Sequence, residues 1–488
     1  MADYLLGIDV GTTGTKILLF QSDGKLIGQA YRPYGMDNPR VGWSEQDADD
    51  WWDAVVATVR EVCDQPETAK AVKGISLSVQ GGTMVAVDAN YVPLRPAMVW
   101  NDKRCTDEKE AYLNEVGDRE SMYQKTGWHL TSGLNAMQIR WMRNNEPDLY
   151  EKAAMFMSVP DYISYKMTGI AAIDLSDIGI NQLGNVRKAS YDPEILKFAG
   201  ITEDKLPKIY RSGEVIGHLT AEAAAQLGLT TEVVLSAGAH DQYAVALGAG
   251  ACNGGDILIG SGTCWVITCI GNEADFDSGL SQSVAAVPGK WGSLWSLSSG
   301  GVCLEWLRRN FCDVSYEEIN REASVRKAAA DGLFFYPFSG RSTLDKGFSK
   351  GSFIGLDLSH DRFHQARAIM EGVAFQIVWM LDAFKTKPSE DGLILAGGAS
   401  KSELWCQLVA DISGLPVRIP AVAELACVGA AILAGVGCGI YENAQCGHKK
   451  LAVGERVLYP NPENTKRYQT YFQEYKRIAR VLADAYKL

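Results

Sequence analysis

The chain has 488 residues, 47% of them hydrophobic and 22% charged, and a formal net charge of −12. That length exceeds what one core supports, so two large domains or three smaller ones are expected, and the balance excludes disorder, collagen-like repeats and a mostly charged tail. Acidic charge without any Lys/Arg run argues against nucleic acid or an anionic lipid surface as a partner.

The opening Met1-Ala2-Asp3-Tyr4 runs straight into an apolar strand, with no basic segment and no small-residue cleavage site. No stretch reaches the roughly 18 uninterrupted apolar residues that span a bilayer, so a cytoplasmic protein with no membrane partner is expected. Eleven cysteines, an odd number without a CxxC pair, fit buried thiols better than disulfides.

The first twenty residues predict a hairpin, with strands over 4–10 and 15–20 and a tip at Gly11-Thr12-Thr13-Gly14. Backbone N–H groups and hydroxyls at that tip suit phosphate oxygens, and a plain Gly-containing turn has the same pattern. Asp9 tips the balance, because a carboxylate inside an apolar strand needs a partner and a Mg²⁺–phosphate complex is one. A helix over 47–63 and a strand over 74–79 follow. Trp100-Asn101-Asp102-Lys103-Arg104, at the end of a strand, reads either as a grip for hydroxyls through charge-assisted hydrogen bonds or as a surface ion pair. A helix is expected over 135–145. After a strand over 232–235, the small residues Ser236 to Ala239 lead to His240, Asp241 and Gln242. Asp241 reads as a reactive side chain at a strand end or as the N-cap of a helix over 244–249, and His240 as a packed neighbour.

Halfway along, a strand over 256–260, a tip at Ser261-Gly262-Thr263 and a return over 264–268 echo the first hairpin, with Gly260 where the first has Asp9. The chain therefore reads as two related halves of α/β organisation, the boundary placing domains at 1–247 and 248–488. A long helix over 362–384 contains Glu371 and Gly372. It leads to a strand over 392–396, the turn Gly397-Gly398-Ala399-Ser400 and a helix over 402–413. Paired glycines before a helix N-terminus make a plausible nucleotide-binding edge.

In this order the motifs resemble the FGGY carbohydrate kinases, from Tyr4 to about Tyr441, and most nearly their xylulose kinase branch. Asp9 to Lys16 resembles the first phosphate loop, and Gly42-Trp-Ser-Glu-Gln-Asp47 with Trp51-Trp52 the N-terminal segment of xylulose kinases. Trp100 to Arg104 resembles the substrate-binding stretch, Asp241-Gln242 the catalytic aspartate and its neighbour, and Ile259 to Thr263 the second phosphate loop. Ser299-Gly300-Gly301 with Glu305-Trp306 is similar to a further nucleotide segment. Gly351 to Leu356 followed by Ala368-Ile-Met-Glu371 is similar to the C-terminal signature, and Gly397-Gly398-Ala399-Ser400 to the adenine loop.

The resemblance implies two ribonuclease-H-like domains of the actin and hexokinase superfamily hinged around an ATP cleft, with ATP and Mg²⁺ required and a homodimer suggested; the Gly- and Ala-rich stretch 248–255 is where the hinge is expected. It implies that Asp241 is the general base and that Asp9, with Asp241, holds Mg²⁺. Thr12, Thr13, Lys16, Gly262 and Thr263 would serve the phosphates, and Gly301, Glu305, Gly397, Gly398 and Ser402 the nucleoside. Gln80, Gly81, Trp100, Asp102, Arg104, Asp241 and Gln242 would contact a small sugar or polyol. Here the sequence departs from the family: Val79-Gln80-Gly81-Gly82-Thr83 carries neither the Gln-Met-His-Gly of xylulose kinases nor the Arg-Glu of glycerol kinases. A roomier, less polar pocket is expected. Met137-Gln138 also replaces the usual Pro-Lys ahead of Trp141. A ketopentose such as D-xylulose is the expected acceptor, supported by Trp100-Asn101-Asp102 and by Asp174-Leu-Ser176 as a second substrate-side segment, with another pentulose, a deoxy-sugar or a polyol as alternatives and a non-catalytic binding protein as the reading of another class.

Overall fold

Period-two alternation sets the first sheet. In β1 (Tyr4–Val10), Leu6, Ile8 and Val10 point to one face and Gly7 and Asp9 to the other. β2 (Gly14–Gln21) pairs antiparallel to β1, and β3 (Leu26–Pro33) antiparallel to β2. The helix α1 (Ala48–Val62), capped by Asp47, lays Trp51, Trp52 and Val55 on the Leu6–Ile8 face. β4 (Val72–Val79) runs parallel to β1 on its other side, β6 (Val234–His240) parallel to β4, and β5 (Val215–His218) closes the edge antiparallel to β6. The order is β5-β6-β4-β1-β2-β3. A second apolar core, between residues 84 and 206, holds the helix Asn135–Asn145 and its Trp141.

Directly after β6 comes α2 (Asp241–Gly248). The next sheet repeats the pattern. β7 (Ile257–Ser261) and β8 (Trp265–Gly271) form the second hairpin, followed by α3 (Gly301–Phe311), α4 (Arg362–Leu381) and β9 (Leu393–Gly397), which runs parallel to β7. α5 (Glu403–Ser413) leads to β10 (Val417–Pro420), parallel to β9, and the strand β11 (Glu455–Leu458) closes antiparallel to β10. Thus β8-β7-β9-β10-β11 has the same senses as β2-β1-β4-β6-β5, and the echo of hairpins extends to five strands of each sheet. Inside α4, Glu371 is buried against Arg367 at 2.8 Å and the Tyr468 hydroxyl at 2.6 Å, a structural role for that acid.

Between β10 and β11 the apolar helix α6 (Leu425–Gly437) leaves the second sheet and covers the Gly7 face of the first, packing on β1, β4, β6 and α2. Gly429 permits this: a Cβ there would press into the carbonyl of Ala244 in α2. Two units result, Met1–Cys252 with Asn272–Gly292 and Glu424–Ala452, and Asn253–Gly271 with Ser293–Ala423 and Val453–Leu488. The computed structural model describes residues 3–338, 350–451 and 454–485. Among them no helix is long and apolar enough to cross a membrane, and no disulfide joins the eleven cysteines.

Candidate functional site

In the first unit, the β1–β2 tip meets the end of β4 through side chains. The Thr12 hydroxyl donates to Gln80 Oε1 at 3.0 Å and accepts from Trp100 Nε1 at 3.2 Å. Gln80 Nε2 donates to Gln46 Oε1 at 3.0 Å, and Gln46 Nε2 returns to the Thr12 carbonyl at 2.7 Å. Thr12, Gln80 and Trp100 therefore form one hydrogen-bonded network, closed by Gln46 of the Gly42–Asp47 motif, a residue not expected at the site. Trp100 is 48% exposed, and its indole N–H holds it to Thr12. Thr13 lies exposed at the tip, and Lys16 pairs with Glu424 at 2.8 Å.

Gly81 and Gly82 do not leave the room expected of them. A Cβ on Gly82, whose φ is +74°, would strike Leu134, and one on Gly81 would stand 2.7 Å from His240 Cδ2. Lacking side chains, the glycines let the backbone close onto these neighbours, and the Gly82 N–H is taken by Asn181 Oδ1 at 3.1 Å.

Asp102 and Arg104 are placed differently from Trp100. Their side chains are 0% and 1% exposed, so the pair is buried, not a surface pair. Asp102 accepts from the Ser44 N–H at 2.7 Å, the Arg104 N–H at 2.8 Å and Arg104 Nη2 at 2.7 Å. The Arg104 guanidinium lies 3.6 Å from the Trp43 ring centre and also pairs with Glu45, which Arg95 shares. This cluster ties the 42–47 segment to the 97–104 segment beneath Trp100.

Two carboxylates remain. Asp9, across the hairpin from Lys16, accepts from Ser78 Oγ at 2.8 Å. Burial pushes its carboxyl up to about 6; the Ser78 hydrogen bond opposes this and the nearby Asp241 charge adds to it. Asp241 begins α2 with a side chain 38% exposed, 3.3 Å from His240 Nε2, and Gln242 follows half-buried. β6 runs on past Leu235 to His240, where a break in strand was expected. Gly238 allows it, since a Cβ there would enter the Leu77 carbonyl, and the ladder shifts register between Ser236 and Ala239. The helix starts at Asp241 with His240 at the capping position, so the strand delivers the carboxylate directly to the helix start. Among the described residues no group of three or more acids, histidines or cysteines could cage a metal. Two mutually repelling carboxylates suit Mg²⁺ that arrives with phosphate oxygens, since that ion commonly takes one or two carboxylates plus phosphates and water.

In the second unit, a cavity of about 600 Å³ is lined by Gly262, Thr263, Gly301, Glu305, Gly398 and Ser402, six residues singled out by the sequence. The N–H of Gly301 bonds the Gly262 carbonyl at 3.1 Å, fixing the start of α3 to the β7–β8 tip. Gly397 lies at the end of β9, and Ser402 caps α5 by accepting from the Trp405 N–H at 3.1 Å. Glu305 is held down to about 2 by hydrogen bonds from Arg308 and Tyr316. Tyr316 and Asn320, also in the wall, were not anticipated. Asn320 Oδ1 accepts from Ser402 Oγ at 2.5 Å, a contact between segments 82 residues apart that no local pattern announces.

The model of the FGGY family of carbohydrate kinases, N-terminal domain, matches residues 4–248, and that of the C-terminal domain residues 256–438. A xylulose kinase of Bacillus subtilis is 29% identical over 97% of this chain and 96% of its own length. An L-xylulose/3-keto-L-gulonate kinase of Escherichia coli is 30% identical over 99% and 98%. The crystal structure of a xylulose kinase from Rhodospirillum rubrum superposes with a TM-score of 0.89 at 28% identity, covering 98% of this chain and 99% of that one.

Proposed function

The chain belongs to the FGGY family of carbohydrate kinases, and we propose that this sugar kinase phosphorylates a ketopentose such as D-xylulose on its terminal hydroxyl, giving the 5-phosphate. The carrying observation is Asp241: a partly exposed carboxylate at a strand-to-helix junction, in the same unit as the Thr12–Gln80–Trp100 network. In the proposed step Asp241 takes the hydroxyl proton, the oxygen forms a bond to the γ-phosphorus of ATP, and the bond to ADP breaks. Thr12, Thr13, Lys16, Gly262 and Thr263 are the residues assigned to the phosphates, and the cavity lined by Gly301, Glu305, Gly398 and Ser402 is assigned to the nucleoside. Asp9 and Asp241 would hold Mg²⁺, which supplies charge neutralisation on the phosphates. On the acceptor side Trp100 offers its exposed face, Gln80 and Gln242 offer polar atoms, and Asp102 with Arg104 acts from below by fixing the segment that carries Trp100.

Another ketose is the second reading, favoured by similarity to the L-xylulose/3-keto-L-gulonate kinase. Glycerol is disfavoured by glycines at 81 and 82. An ADP-release assay with Mg-ATP and a panel of pentuloses, hexuloses and polyols tests both, run beside Asp241→Asn. Turnover on D-xylulose, reduced about 10²- to 10⁴-fold in the variant, is expected. Turnover confined to another ketose would shift the acceptor, and a variant as fast as wild type would remove Asp241 as the base.

A further inference from the structure

A chain of buried polar contacts ends at the residue before Asp241. The backbone N–H of His240 donates to Ser176 Oγ at 2.8 Å. That hydroxyl donates to Asp174 Oδ1 at 2.5 Å, and the same oxygen accepts the Ser176 N–H at 2.9 Å. Asp174, Ser176 and His240 are each at least 96% buried. Because Asp174 takes the hydroxyl proton, the Ser176 lone pair is left aimed at the His240 N–H, so the contact has one sense only. The anchor sits where it is needed. β6 has just shifted register between Ser236 and Ala239, and beyond His240 the chain turns into α2, so the peptide at 240 is where the ladder stops dictating direction.

The His240 ring is also fixed, packed edge-on to Trp128 with centroids 6.0 Å apart and with Nε2 3.3 Å from Asp241 Oδ1. Behind Asp174 stands Asp177; burial raises both carboxyls, and the Asp174 charge pushes that of Asp177 further up. Neither acid is exposed enough to meet a sugar.

We propose that Ser176, backed by Asp174, is a positioning residue that aims the Asp241 carboxylate by holding the peptide of His240. This rests on the reading of Asp241 as the base. A base must stand within a few tenths of an ångström of its productive place, and a displacement of about 1 Å can cost about 10²-fold in rate.

The test compares steady-state kinetics on D-xylulose, or on whichever ketose the wild-type chain uses, for wild type, Asp241→Asn, Ser176→Ala, Ser176→Cys and Ser176→Thr. Cysteine fills the space of serine but bonds weakly, so it covers the case in which the alanine variant does not fold. Ser176→Ala and Ser176→Cys are expected to lose about 10- to 100-fold in kcat with KM for ATP within about twofold, and Ser176→Thr, which keeps the hydroxyl, to recover most of it. A role in folding alone would lower the melting temperature and leave kcat of the folded protein unchanged. If Asp241→Asn is inactive while both the alanine and cysteine variants keep wild-type kcat, the positioning role is overturned and the base stands. If Asp241→Asn turns over like wild type, the base falls and this inference with it.

Discussion

Asp9 carries opposing demands. Its place on the α6 face of β1 removes it from water, and Ser78 supplies one hydrogen bond where an ionised carboxylate wants several. With its folded value at about 6 against 3.8 for a free side chain, the folded state holds the proton longer than the unfolded state as pH rises. Between pH 4 and 6 the unfolded chain binds fewer protons, so this residue's contribution to stability falls as pH increases and stays lost above 6. Asp9→Asn removes the term. In Mg²⁺-free and nucleotide-free buffer, urea unfolding at pH 7.5 is expected to show the variant more stable by on the order of 1–3 kcal/mol, the gap closing towards pH 4. Turnover should fall in the same variant, since the charge that costs stability is the one proposed to meet Mg²⁺. A variant equally or less stable at pH 7.5 would contradict the argument.

At the scale of elements, the seam between α2 and α6 holds the start of α2 in place. A Gly429→Ala change would push its methyl into the Ala244 carbonyl, backbone that cannot step aside. Overpacking of this kind costs typically about 1–3 kcal/mol. A lowered denaturation midpoint is expected together with a kcat loss larger than the change in KM for ATP, because α2 carries Asp241; an unchanged midpoint would mean that the helices separate freely. Neither α6 nor this seam was legible in the sequence, because a contact between residues 244 and 429 leaves no local trace. What was legible is local. The helix Asn135–Asn145 has the bounds its periodicity gives, and both hairpins turn at their Gly- and Thr-bearing tips. The helix expected over 402–413 begins one residue later, at Glu403, with Ser402 as its cap. β6 was read short because Ala-Gly-Ala looks like a loop, whereas small residues there let a strand pass close to Leu77. Asp102 and Arg104 were visible as a pair, but their burial under Trp43 depends on Glu45 and Arg95, which arrive from other segments.

For the whole molecule, the path of the chain matters more than its two-part repeat. The first sheet is complete in its strands by residue 240, yet its Gly7 face is covered by α6, which the chain makes only after it has built most of the second sheet. α6 buries Leu425, Val428, Ile432 and Leu433, each at most 5% exposed. At about 1.5–3 kcal/mol for each large aliphatic side chain, this burial rivals the ~5–15 kcal/mol by which a whole domain is stable. Residues 1–252 expressed alone should therefore not form a cooperative unit, although they contain every strand of their sheet and Asp241. Such a fragment is expected to show secondary structure by far-ultraviolet circular dichroism but to bind hydrophobic dye and melt without a sharp transition. A single cooperative melt without dye binding would show that α6 is dispensable. It would also free the first unit from the requirement that the rest of the chain be made before its core can close.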